Sequence, residues 1–316
     1  MAGSIPGYGI NSGVHDMTTD DHITRTAFTE GPPRVNEWRR FARVFFQRKM
    51  VIFGLLIMLL LIVSAIFAEW VAPYDPYERD LYNVLAQPSS EHWLGTDPIG
   101  RDTLSRLIFG SRTAILVGFV TAGFASATGM LLGLIAGYFS RTFINVIIMR
   151  VMDLLMTFPM IILALFIASI LGGGIQNVII ALGISALPGY ARVMHGLSLS
   201  IKENDYIMAE RAAGASIWRV MLHHILPNAA PPMIVLITLQ LGTLILAEAG
   251  LSFLGIGIKP PGAAWGAMVN DGYRYLTTNL TLSMAPGVAI MVVVFAFNMV
   301  GDGLRDALDP RLRGTL

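Results

Sequence analysis

The chain has 316 residues, of which 54% are hydrophobic and only 14% charged, with a mean hydropathy of +0.62. That balance excludes a soluble globular domain and points to an all-α polytopic membrane protein, because closed barrels carry weaker, alternating segments. A formal net charge of +1 supplies no field to recruit nucleic acid, and zero cysteines exclude disulfides, thiol nucleophiles and cysteine-ligated iron–sulfur clusters.

Residues 1–33 are rich in Gly, Ser, Thr and Asp without an apolar period and read as a mobile cytoplasmic tail. Residues 34–68 join a basic flank, Arg34, Arg39, Arg40, Arg43, Arg48 and Lys49, to the first apolar run, 51–68. That run starts too far from the N-terminus and is too long for a signal peptide, so it reads as a transmembrane anchor. The next segment carries Glu69, Asp75, Glu78, Asp80, Glu91 and Asp97. The positive-inside rule therefore puts the N-terminus in the cytoplasm and residues 69–112 outside. Within this external segment Asp97 precedes Pro98 and reads as the N-cap of a helix with proline at its first position. That helix would carry Leu104, Leu107 and Ile108 on one side and lie at the outer interface, as a structural elbow or a contact for a delivery protein. His92, Asp97 and Asp102 have no compact ligand spacing, so no metal site is expected.

Further apolar runs at 113–137, 158–171, 176–193, 229–247 and 284–300 bring the expected spans to six. The 158–171 run is short, and the amphipathic stretch 144–156 is expected to lead into it as one continuous helix. Ala125, Gly129, Gly133 and Gly137 recur every fourth residue, a stripe of small side chains suited to close helix packing, inside the subunit in preference to between subunits. Arg150, Asp153 and Arg192 fall toward the inner boundary, where snorkelling and solvation account for them. Gln240 and Glu248, on or beside the fifth run, are candidates for a pathway, with plain solvation at the outer boundary an equal reading of Glu248. Alternation leaves 113–303 as a membrane core and 304–316, with Arg305, Arg311 and Arg313, as a cytoplasmic tail.

The fourth and fifth runs are separated by a polar insert at 208–227. Asn204 or Asp205 can start a helix through Tyr206, Ile207, Ala209 and Ala212, and Gly214 supplies the left-handed residue that ends it. Ser216 can cap a second helix with Ile217, Val220, Met221 and His224 on one face, and Pro227 keeps that helix from running unbent into the next span. A stiff protrusion tied at both ends to spanning helices can transmit a push; a loop lying on the headgroups fits the same residues.

This insert resembles the cytoplasmic loop of binding-protein-dependent ABC importer permeases, Glu-Ala-Ala-x-x-x-Gly-x-x-x-x-x-x-x-x-x-Ile-x-Leu-Pro. Gly214, Leu226 and Pro227 fall in register and Ala209 matches the first alanine. Met208 stands at the glutamate, Glu210 at the second alanine and His224 at the isoleucine, departures that leave the helix-glycine-helix geometry intact. Pro88, Ser89, His92, Leu94 to Asp97, Gly100 to Asp102, Ser105, Arg106 and Gly110 to Arg112 are similar to the external segment of the dipeptide, oligopeptide and nickel permease family. Leu251 to Gly255 resembles that family's fifth-span end, and Asn298, Gly301 to Asp306 and Leu308 to Pro310 its C-terminal signature. The pattern favours the second, C-type permease subunit.

The resemblance implies a type I ABC importer permease fold with coupling helices between spans 4 and 5, in a loop at about 196–227. It implies an ATPase-coupling role for Ala209, Glu210, Arg211, Gly214, Ala215, Ser216, Leu226 and Pro227, and an external role for Asp97, Gly100, Arg101, Asp102 and Arg106. Its partners would be a sister permease, two ATP-binding subunits that carry ATP and Mg, an external solute-binding protein and the bilayer of a bacterial or archaeal plasma membrane. Dipeptides, longer peptides, glutathione-like molecules and nickel chelates all fit as cargo. The chain itself has no Gly-x-x-x-x-Gly-Lys-Ser/Thr phosphate loop, its only lysines being Lys49, Lys202 and Lys259, and no residue is expected to be catalytic. The alternative class, an ion-coupled secondary transporter, calls for inverted repeats and ionisable groups near the membrane centre.

Overall fold

The computed structural model describes Gly3 and residues 37–259 and 261–308. The expected tail at 1–33 (Gly3 apart), Arg34, and the terminal Asp309, Pro310, Arg311 and Arg313 lie outside the described residues. Among the described residues the regular structure is helical, with one isolated bridge between Thr96 and Asp102. In chain order the helices are α1 (Glu37–Gln47), α2 (Lys49–Ile66), α3 (Ala68–Val71), α4 (Thr103–Tyr138), α5 (Phe143–Met156), α6 (Met160–Leu171), α7 (Ile175–Lys202), α8 (Asp205–Ala212), α9 (Ile217–Arg219), α10 (Leu226–Phe253), α11 (Trp265–Tyr273) and α12 (Thr281–Leu308). A π-helical turn, Val220–Ile225, joins α9 to α10.

In α2, Val51, Gly54, Leu61 and Ala65 recur at helical spacing and are buried, and the helix packs against α4 and α12. Ile52, Phe53, Leu56, Leu59 and Leu60 on its other faces are equally apolar and exposed. In water that outer surface would be unfavourable by roughly 25 cal/mol per Å². Lipid removes the penalty, so an apolar helix of this kind belongs in a bilayer. Five helical stretches are long and apolar enough to cross one: Lys49–Ile66, Thr103–Tyr138, Ile175–Lys202, Ile217–Phe253 and Thr281–Leu308. The pair α5 and α6 makes a sixth if counted as one broken span.

That pair is not the continuous helix its apolar pattern predicts: α5 and α6 meet at 91°. Pro159 is the cause. It has no N–H to donate, its ring disfavours helical geometry at the preceding Phe158, and it sits as the N-cap of α6 at φ −54, ψ 135.

The start of α4 also differs from expectation. Asp102, not Asp97, is its N-cap, with Oδ2 accepting from Ser105 N at 2.7 Å. The helix then runs 36 residues without interruption, so the expected separate interfacial helix is simply its first turns. At 1.5 Å per residue α4 is about 54 Å long, well beyond a hydrocarbon core of about 30 Å.

The centre of the bundle is the contact of α4 with α7. A Cβ added at Gly129 would lie 2.8 Å from Leu187 O, one at Gly137 2.5 Å from Ser198 Cβ, and one at Gly133 would collide with Ala191 O. The small-residue stripe thus serves packing within the chain. Tyr190, Met194 and Leu134 fill the space around it and are fully buried.

Pro227 does not stop the helix it enters. Residues Ile217–Phe253 form one helical stretch of 37 residues, with Pro227 in the first turn of α10, directly after the π turn. In α geometry a proline ring would meet the carbonyl four residues earlier, His223; the wider π turn shifts the bonding by one residue and accommodates it.

Candidate functional site

The protrusion between α7 and α10 is built from local rules. Asn204 is the extended N-cap of α8, which ends at Ala212, and Gly214 follows at φ +86. The reversal is closed by backbone bonds from Gly214 N to Arg211 O (3.1 Å) and from Ala215 N to Glu210 O (3.0 Å). Ser216 Oγ then accepts from Arg219 N at 3.3 Å, capping α9. Ile207 anchors α8, and Val220, Met221 and Ile225 anchor the π turn, all fully buried.

Ile217 does not share the buried face of Val220 and Met221, as helical spacing had suggested; it is exposed. The change of period in the π turn separates them. Exposed with Ile217 are Tyr206, Met208, Trp218 (62%) and Leu222. Five large apolar side chains on so short a protrusion are more than scattered surface residues and mark a contact surface. The expected coupling residues are divided: Ala209, Arg211, Gly214, Ser216 and Pro227 are exposed, whereas Glu210, Ala215 and Leu226 are half-buried. Glu210 faces inward, with Oε1 3.8 Å from His224 Nε2. Asn228 Nδ2 donates to His224 O (2.7 Å) and the Tyr206 hydroxyl (3.2 Å). Trp218 and Leu222 had no signal in the sequence pattern, because which side of this stretch faces the bundle depends on the π turn.

The 97–106 motif folds into an elbow at the head of α4. Asp97 Oδ1 accepts from Ile99 N (2.9 Å) and Arg101 N (3.0 Å), and Oδ2 from Arg101 Nε (2.5 Å). Arg106 Nε lies 3.7 Å from the same carboxylate and Nη1 donates to Pro76 O at 3.3 Å. Asp102 accepts from Ser105 N and Oγ, each at 2.7 Å, and its other oxygen lies 2.9 Å from His92 Nδ1. Asp97, Arg101, Asp102 and Arg106 are all buried, and Gly100 closes the turn between them. Arg101 also reaches Asp271 of α11 at 3.7 Å. Burial pushes the Asp271 carboxyl up from its usual range, and the Arg101 and Arg106 guanidiniums pull it back. No group of three metal-ligating side chains occurs among the described residues.

Of the pathway candidates, Gln240 is half-buried. Glu248 is not solvated at a boundary: it is 2% exposed and accepts from Ser252 Oγ at 2.6 Å. Residues 254–258 curl back on the end of α10, where Ile258 N donates to the same Ser252 Oγ (3.2 Å). Arg192 and Asp153, read separately as snorkelling and solvated, form an ion pair of 2.5 Å between α7 and α5. Both are half-exposed, so the pair orients more than it stabilises.

A family profile described as "Binding-protein-dependent transport system inner membrane component" matches residues 129–314. Another, "N-terminal TM domain of oligopeptide transport permease C", matches residues 36–88. The dipeptide transport system permease protein DppC of Alkalihalophilus pseudofirmus is 42% identical over 279 residues, 88% of this chain and 91% of the relative. The glutathione transport system permease protein GsiD of Pectobacterium atrosepticum is 39% identical over 277 residues (87% and 92%), and that of Escherichia coli O6:K15:H31 42% over 278 (88% and 91%). In fold, a chain of the inward-facing MetNI methionine ABC transporter aligns with a TM-score of 0.55, covering 65% of this chain and 97% of that one at 22% identity. The apolar helices, the helix-glycine-helix protrusion and these matches place the chain in one family: it belongs to the inner membrane components of binding-protein-dependent transport systems, as an ABC importer permease of the dipeptide/oligopeptide type.

Proposed function

We propose that this chain is one of two permease subunits of an importer for short peptides, and that α8, Gly214 and α9 couple it to ATP-binding subunits in the cytoplasm. The observation that carries the reading is the protrusion itself, pinned to the bundle by Ile207, Val220, Met221 and Ile225 and presenting Met208, Ile217, Trp218 and Leu222 outward. Met208 in place of an acid makes this contact an apolar one. ATP and Mg belong to the partner subunits. Closure of the ATPase pair would move α8 and α9, and the unbroken run into α10 would carry that movement to the pathway lined with a sister permease.

Relatives named for dipeptide and glutathione transport share one cargo chemistry, a small peptide with free carboxylate and amine. A solute-binding protein would deliver it at the face bearing residues 69–102. Both termini, with the 1–33 tail and residues 304–316, would lie in the cytoplasm of a bacterial or archaeal cell. The test is purification of the tagged chain in mild detergent followed by mass spectrometry of what accompanies it. A second permease and P-loop ATPases in near-stoichiometric amounts are expected, and Trp218→Ala should weaken ATPase retention about tenfold or more, as for an exposed aromatic anchor. Recovery of the chain alone, with ATP-independent solute movement in liposomes, would favour a secondary transporter instead.

A further inference from the structure

A cavity of about 510 Å³ opens among Tyr138, Arg141, Lys202, Glu203, Arg211 and Ile217, beside the coupling protrusion. Three cations and a single carboxylate, Glu203, line it. Lys202 is held in place, its ammonium donating to Gly137 O and Tyr138 O at 3.2 Å each and to Ser140 Oγ at 2.6 Å. Its three protons therefore serve the C-terminal end of α4, and only its charge acts on the cavity. Arg211 lies over the Tyr138 ring, Cζ 6.0 Å from the centroid, which leaves N–H donors at the guanidinium edge. Arg141 comes from the short α4–α5 connection and is exposed. Ion pairs among the described residues all use other side chains.

The depth of the cavity follows from the helices that end there. The apolar run of α4 ends at Gly137, next to Tyr138 at the mouth of the cavity, so the cavity lies at the polar boundary of that span, where headgroups sit. From it leads α5, which meets α6 at 91°, so the two cannot both lie along the membrane normal. The uncharged α6 suits the hydrocarbon core. With Arg150 and Asp153 beside exposed Phe143, Ile144, Ile147 and Leu154, α5 suits the interface, its apolar side chains in the acyl layer and the Arg150 guanidinium reaching up to the headgroups. A ligand that satisfies both surfaces has an anionic phosphate and acyl chains. An acidic protein segment would satisfy the arginines alone and leave α5 uncovered.

We infer that this cavity is a binding site for the phosphate of an anionic phospholipid, held by the forked donors of Arg141 and Arg211 beside the fixed charge of Lys202, with the acyl chains along α5. The inference does not depend on which cargo the importer carries. Bound there, the lipid would brace Arg211, and with it α8, against the membrane.

The experiment uses the full chain in complex with its copurifying subunits, in nanodiscs of phosphatidylcholine with or without phosphatidylglycerol, and counts retained lipid by native mass spectrometry. Wild type should retain phosphatidylglycerol in preference to phosphatidylcholine. Arg141→Gln with Arg211→Gln should lower that retention about tenfold, and the lysine pair at the same positions should recover only part of it, since a lysine keeps the charge but cannot fork on the phosphate. Arg141→Gln alone, outside the coupling protrusion, should give a smaller loss in the same direction and serves if the double variant assembles poorly. Equal retention of the two lipids, or unchanged retention in the glutamine variants, would overturn the inference. So would displacement of the lipid by millimolar inorganic phosphate, which identifies a soluble-anion site. Loss of the ATPase subunits with lipid retention intact would assign the arginines to a protein partner.

Discussion

Gly214 acts through its backbone. An added Cβ there would meet nothing within 4 Å, yet φ is +86, a region that an L side chain avoids. Gly214→Pro fixes φ near −65°, which straightens the reversal between α8 and α9 without touching the buried face. The expected result is normal membrane insertion with transport lost, checked by immunoblot of membranes beside uptake of a labelled dipeptide; wild-type uptake would count against the coupling role. Arg101 makes the opposite kind of prediction. Removing it leaves Asp97 buried, with Arg106 at 3.7 Å as its remaining cation. Arg101→Ala should destabilise the protein by about 3 kcal/mol, read as a lower thermal transition in detergent, with Arg101→Lys recovering only part because a lysine cannot fork. The sequence pointed to Asp97 as the N-cap because Pro98 follows it, whereas in the fold Asp102 caps α4 and holds His92 while Asp97 holds Arg101.

At the scale of elements, the protrusion was legible because a helix, a left-handed glycine and a serine cap each depend on only a few neighbouring residues. Its continuation into α10 was not, since Pro227 read locally is a stop. The π turn Val220–Ile225 reconciles the two by widening the helix just before the proline. A π turn holds one residue more than the α turn it replaces, so deleting Leu222 should convert it to α geometry, rotate α9 by roughly 100° relative to α10 and carry Trp218 off the contact surface. The expected phenotype is an assembled membrane subunit whose partner ATPase hydrolyses ATP without solute movement, measured in proteoliposomes. Coupled transport by the deletion variant would show that the π turn is incidental. The α5–α6 bend teaches the same lesson from the other side: the apolar pattern on the two sides of Pro159 reads as one continuous helix, and the proline breaks it.

For the whole molecule, the absence of cysteine makes topology directly measurable, because any introduced thiol is the single reactive one. Tyr82, 99% exposed in the 69–102 segment, and Trp218 on the protrusion lie on opposite sides of the membrane in the proposed orientation. Tyr82→Cys should react with a membrane-impermeant maleimide in intact cells, and Trp218→Cys only after permeabilisation; the reverse pattern would invert the assignment. The bundle that separates these two faces is organised around α4 and α7, whose approach depends on Gly129, Gly133 and Gly137.

Composition and hydropathy alone determined the class of protein, an all-helical membrane protein, because the bilayer forces every backbone group to be satisfied within its own helix and so leaves a pattern that one segment can carry. The small-residue stripe and the turn at Gly214 were equally readable, being requirements of a single helix face or a single dihedral. Tertiary structure decided the rest: that Asp97, Arg101, Asp102 and Arg106 are buried against one another, that Glu248 is covered, and that Trp218 and Met208 face out. Each of these depends on which second helix or loop covers a side chain. Such long-range contacts have no counterpart in local spacing, so the bundle had to be assembled before they could be seen.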